Sequence, residues 1–279
     1  MDISKLFEKS EEKEFTTFPT TLETYAWYKP ILIMIIAVIV TFAISFAALF
    51  ILRADPRGNG INTLIFTAIT VIAIIPGIFI GTKLMYKIPF STQVAPIRDW
   101  NWSIYIKAFV IALIVYGVAV ILPILTSGAD IPNNLSIAII LLCVILPLFQ
   151  GFAEEYMCRG LLLQTFGSWF KIPIVAIVIQ GVIFAVMHPY GAYSLLSVIC
   201  TGILYGFITW YGQGLEVSSA MHALNNIFSF LAIGLGFQAG TTSGGSSPTT
   251  FIVNFALLAI PMIIILVLEK KFNFMGFKS

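Results

Sequence analysis

Charge is scarce in this chain. Asp, Glu, Lys and Arg make up 10 % of its 279 residues, against 59 % hydrophobic ones. Soluble globular proteins carry about 25 % charged residues, so composition excludes that class and points to a polytopic membrane protein. The 15 basic and 13 acidic residues nearly balance, which leaves no basic surface of the kind that binds nucleic acid. Three cysteines, Cys143, Cys158 and Cys200, lie in or beside apolar runs without metal-type spacing. An odd, scattered set builds no disulfide framework. His-Glu-x-x-His, Gly-x-Ser-x-Gly and a Walker-type glycine loop are all missing. Asp55, Asp99 and Asp130 fall in loops, so the spans hold no aspartyl dyad. Residues 1–29 are polar, with Glu11-Glu12-Lys13-Glu14 and no apolar core, so no cleavable signal peptide is expected.

Long apolar runs are plentiful. A membrane-crossing helix needs about 20 apolar residues, and eight segments qualify: 30–52, 61–82, 103–125, 135–153, 172–189, 193–211, 217–236 and 251–268. The expected fold is an all-α transmembrane bundle. The fourth helix is expected to continue past residue 153 to about Trp169. Polar connections separate the spans, including Arg53–Gly60, Ser91–Asn101, Thr126–Asn134 and the Gly/Ser/Thr-rich Gly240–Thr250. Eight spans put both termini on one side of the membrane. All Lys and Arg except Arg53 and Arg57 then share that side, which makes it the cytosol. Gly77-x-x-x-Gly81 and Gly202-x-x-x-Gly206 are expected to let helices pack closely.

Against this apolar background a few polar residues carry the information. Glu154, Glu155 and Arg159 lie at the end of the fourth span, and the only two histidines are His188 and His222. A carboxylate in hydrocarbon is costly unless paired, hydrated or neutralised, so such residues are functional candidates. Glu155 and Arg159 are four apart and share a helix face, so Arg159 is expected to hold Glu155 ionised. Glu154 points about 100° away, free to face a hydrated cavity and act as a base. A purely structural Glu–Arg pair would look the same in sequence, and a lone histidine in a span more often bridges helices than catalyses. His222 and Asn226 are four apart and share a face.

Two chemistries fit these groups. Glu154 with His188 can activate water while His222 and Asn226 donate hydrogen bonds to an oxyanion. Alternatively, Glu154, His188 and His222 are three ligands that leave a catalytic zinc one open position.

Three motifs occur in order: Glu154-Glu155-Tyr156-Met157-Cys158-Arg159, Phe184-Ala185-Val186-Met187-His188, and His222-Ala223-Leu224-Asn225-Asn226. The set resembles the CPBP family, which includes CAAX prenyl endopeptidases of the Rce1 type, bacteriocin-processing and immunity proteins, and lysostaphin-resistance-like proteins. The resemblance covers roughly residues 135–240. It implies an intramembrane endopeptidase in which Glu154 and His188 activate water and His222 and Asn226 stabilise the oxyanion. Glu155, Arg159 and Phe184 would support them. The family is often described as metalloproteases, which keeps zinc as a possible cofactor beside a metal-free route.

The implied organisation is a cytosolic segment 1–29, three spans without family motif in 30–125, a catalytic core in 126–268 and a cytosolic tail 269–279. The implied partners are the bilayer and a peptide or prenylated substrate, in a bacterial plasma membrane. Two other readings use the same residues: a proton-coupled transporter relaying protons through buried Glu and His, and a non-catalytic immunity or scaffold protein. One expectation conflicts with the rest. If 172–189 crosses the membrane fully, His188 ends on the side opposite Glu154 and His222.

Overall fold

Inside a bilayer the backbone must satisfy its own hydrogen bonds, so apolar runs of this length fold as helices. The computed structural model describes residues 3–10, 13–57, 61–127, 136–234 and 247–276, and no β-strand occurs among them. The helices are α1 (Lys29–Leu52), α2 (Ile61–Ile72), α3 (Ile74–Met85), α4 (Phe90–Val94), α5 (Trp102–Ser127), α6 (Ile137–Glu155), α7 (Gln164–Phe170), α8 (Pro173–Val186), α9 (Ala192–Gly212), α10 (Glu216–Gly234) and α11 (Pro248–Phe272). The bundle is all-helical, as composition implies. Residues 128–135 and 235–246, which hold most of two expected loops, lie outside the described residues.

Among the described residues, six helical segments are long and apolar enough to cross a membrane: Lys29–Leu52, Ile61–Met85, Trp102–Leu122, Ile137–Phe170, Ala192–Gly212 and Pro248–Phe272. The other two of the eight expected spans are helical but differ in kind. The fifth is α8, with 14 residues. At 1.5 Å per residue it extends about 21 Å, short of the ~30 Å hydrocarbon layer. It stops at Val186, ahead of Pro189, whose ring disfavours helix in the residue before it. The seventh is α10, whose apolar character is diluted by Glu216, Ser218, Ser219, His222, Asn225 and Asn226.

The fourth segment continues past the glutamates, as expected. Helix α6 passes without a break into a π-helical stretch, Tyr156–Leu163, and then α7. Such wide turns are rare and concentrate at functional sites. Here the stretch begins directly after Glu155 and contains Arg159.

Glycines set the helix spacing where the sequence suggested. A Cβ on Gly77 would lie 2.7 Å from the Ala37 carbonyl oxygen, so α3 meets α1 backbone to backbone. A Cβ on Gly202 would lie 2.6 Å from Gly181 Cα, which locks α9 against α8. Neither neighbour is a movable side-chain tip. Gly202→Ala is therefore expected to destabilise the protein by about 1–3 kcal/mol through overpacking. Thermal unfolding in detergent measures this; an unchanged midpoint would show that the two helices are free to separate.

The polar N-terminal segment is no loose tail where it is described. Phe15 and Thr16 are fully buried. The Phe15 N–H donates to Gln213 Oε1 at 2.6 Å, and Trp210 Nε1 donates to Glu14 Oε2 at 3.2 Å. Gly167 lets the turn at Phe15–Thr17 lie against α7: a Cβ there would sit 2.4 Å from the Thr16 carbonyl oxygen. Nearby, Arg98 grips the buried Glu216 at the start of α10, with Nη2 2.8 Å from Oε2. Together these contacts fix the ends of α7, α9 and α10, and so the depth at which α10 presents His222.

Candidate active site

Close approach of α6 and α10 builds the site. A Cβ on Gly151 would lie 3.0 Å from the Ala223 amide nitrogen, so the two backbones nearly touch one turn before the glutamates. That contact brings His222 onto the acidic pair. His222 Nδ1 is 2.7 Å from Glu155 Oε1, and Nε2 is 3.4 Å from Glu154 Oε2. Glu155 and His222 are buried, and Glu154 is 9 % exposed, which leaves it the one carboxylate of the pair with an opening outward.

The two acids have different partners. Arg159 Nη1 donates to Glu155 Oε1 at 2.7 Å, with both side chains fully buried. Arg159 Nη2 donates to the Gly202 carbonyl at 3.0 Å, which also accepts from Gln180 Nε2 at 2.7 Å. The guanidinium lies 5.0 Å from the Phe184 ring centroid and 5.5 Å from that of Tyr205, within the range where aromatic faces attract cations. A desolvated charge demands such a full set of partners. Arg159 Nε and Gln180 Oε1 are buried without a hydrogen-bond partner in the protein, and ordered water would satisfy both.

Phe184 joins the two histidines. Its ring is 4.8 Å from that of His188 and 5.8 Å from that of His222. The conflict over His188 is thereby removed: α8 is too short to carry it across the bilayer, so it stays beside the cluster. His188 Nδ1 donates to the Phe184 carbonyl at 2.8 Å. A carbonyl only accepts, so this bond fixes the tautomer and leaves Nε2 as the outward nitrogen. No hydrogen bond links His188 to Glu154 among the described residues; Phe184, in ring contact with both histidines, connects His188 to the group. Asn226 sits one turn beyond His222, and its Oδ1 accepts from Asn225 Nδ2 at 3.1 Å.

Three features were missed by the sequence reasoning. His222, expected as an oxyanion donor or a metal ligand, touches both glutamates. Gln150 Nε2 donates to Glu154 Oε1 at 3.3 Å, so the free acid also has a neighbour on its own helix. The four-residue spacing of Gln150 and Glu154 was the available signal. Tyr205, whose ring is 5.6 Å from that of His222, had none.

Among the described residues no group of three or more His, Cys, Asp or Glu is arranged to hold a metal ion. His222 and His188 each engage Nδ1 with a protein acceptor, Glu155 Oε1 and the Phe184 carbonyl, which leaves Nε2 of each ring as the nitrogen available to a substrate, a water or a metal.

Comparison with known proteins supports the motif resemblance. Residues 134–228 match the family model of the Rce1-like type II CAAX prenyl endopeptidases. All seven residues of the three motifs' signature positions fall within that stretch. The chain is also similar to the uncharacterized protein YyaK of Bacillus subtilis (strain 168), with 31 % identity over 166 residues, or 55 % of this chain and 56 % of the relative. The match thus spans about half the length of that curated relative. No solved structure matches the chain.

Proposed function

We propose that this chain, Rce1-like across residues 134–228, is an intramembrane endopeptidase that hydrolyses a peptide bond in a peptide or lipid-modified substrate. The observation that carries this reading is the buried group in which His222 spans Glu155 at 2.7 Å and Glu154 at 3.4 Å. A structural ion pair would need only Glu155 and Arg159. The second acid, partly open and adjacent to an imidazole, is what hydrolysis requires.

The reaction runs through this chain's own residues. A water next to Glu154 and the outward Nε2 of His188 attacks the substrate carbonyl, and Glu154 takes its proton. The developing oxyanion is received by Nε2 of His222 and Nδ2 of Asn226. Glu154 then returns its proton to the departing amine. Glu155 and Arg159 do not meet substrate; they hold the ring.

The substrate we infer is apolar or lipid-bearing, either CAAX-type or bacteriocin-type, since the site opens among membrane-embedded helices. We further place both termini in the cytosol and the protein in a bacterial plasma membrane, in keeping with the distribution of Lys and Arg and the Bacillus relative. Purified protein in liposomes, offered farnesylated CAAX-type peptides and apolar leader peptides with a fluorophore and quencher, is expected to cut at least one. Proton or solute flux without cleavage would favour a transporter. Stable peptide binding without turnover would favour an immunity or scaffold role.

A further inference from the structure

The family match starts at residue 134, yet the first half of the chain reaches the site through Tyr116 on α5. Tyr116 is buried at 3 % exposure and stacks on Phe228 of α10, with centroids 6.0 Å apart and planes at 12°. This packing aims its hydroxyl at α10. The hydroxyl donates to Asn225 Oδ1 at 3.4 Å, and Asn225 Nδ2 donates to Asn226 Oδ1 at 3.1 Å.

We propose that Tyr116 and Asn225 are positioning residues that orient the Asn226 amide, so that its N–H groups face the substrate oxyanion. The inference rests on the oxyanion role of Asn226 given above. A carboxamide has one end that donates and one that accepts, and only the donating end stabilises an oxyanion. Without a partner on its oxygen, the Asn226 amide could turn either way. Here Asn225 donates to its oxygen, which turns the NH2 end of Asn226 outward. Tyr116, donating to the Asn225 oxygen, holds that amide in the orientation that lets it donate onward. Every donor points the same way, from Tyr116 through Asn225 to Asn226, and bonds aligned head to tail reinforce one another.

The test is a double-mutant cycle on the full chain in liposomes, using whichever quenched peptide the wild type cuts best. Tyr116→Phe, which keeps the ring and its stacking, is expected to lower kcat about fivefold, and Asn225→Leu on the order of tenfold, with KM little changed. In the Asn226→Ala background, which alone lowers kcat about 10²-fold or more, Tyr116→Phe is expected to cost nothing further. Thermal unfolding verifies that each variant is folded, and Tyr116→Phe suffices should Asn225→Leu fail. If Tyr116→Phe costs the same factor with and without Asn226, or raises KM while leaving kcat alone, the positioning role is overturned while the oxyanion reading stands. If Asn226→Ala cuts at the wild-type rate, or the wild type cuts no peptide, the oxyanion reading fails and this inference falls with it.

Discussion

Glu154→Gln is expected to lower kcat for peptide cleavage by about 10²–10⁴-fold, the usual contribution of a general base, while leaving the protein folded. Glutamine keeps the shape of the side chain and an oxygen that can accept from Gln150 Nε2, now 3.3 Å from Glu154 Oε1. What it loses is the capacity to take a proton from water. The shorter contact of α10 with this helix, from His222 Nδ1 at 2.7 Å, goes to Glu155 and stays intact in the variant. Initial rates of a quenched peptide in liposomes, with thermal unfolding in parallel, separate chemistry from folding. A variant that cuts at the wild-type rate would remove Glu154 from the mechanism.

The opposite pattern is expected at Arg159. Arg159→Met leaves Glu155 as a fully buried carboxylate whose remaining named partner is His222 Nδ1. Removing one member of a buried pair costs about 3–5 kcal/mol, because the other charge stays behind without compensation. The variant also gives up the bond to the Gly202 carbonyl and the cation contacts with Phe184 and Tyr205. Thermal unfolding in detergent is expected to show a large fall in midpoint, or loss of folded protein on purification. Neutralising the stranded acid as well, in Glu155→Gln/Arg159→Met, is expected to recover much of that stability but not the activity, since His222 then lacks its anionic anchor. A single variant as stable as the wild type would show that Glu155 does not depend on Arg159.

Residues close in sequence were readable in advance, and residues joined across helices were not. The Glu155–Arg159 pair follows from a four-residue spacing, and the separate bearing of Glu154 follows from the helical turn. The close packing at Gly77 and Gly202 was legible from small residues at four-residue spacing. The contact of His222 with both glutamates was not, because it depends on how closely Gly151 lets α6 approach Ala223, and no local pattern encodes that. The depth of His188 was left in conflict because hydropathy extends the fifth span through Pro189 while α8 ends at Val186; an apolar run does not reveal where its helix stops. The burial of Phe15 and Glu14 was hidden as well, since a polar segment that docks on Trp210 and Gln213 has the composition of a free tail. Tyr116 carries no motif, and only its stacking on Phe228 reveals which way its hydroxyl points.

The measurement closest to the core of this account is mass spectrometry of a peptide cleaved in water enriched in heavy oxygen. The protein is kept in liposomes, and wild type is run beside Glu154→Gln. One heavy oxygen is expected in the new C-terminal carboxylate of the wild-type product, from the water that Glu154 deprotonates, and almost no product from the variant. Peptides that stay intact with folded wild-type protein, or equal labelled product from both proteins, would contradict it.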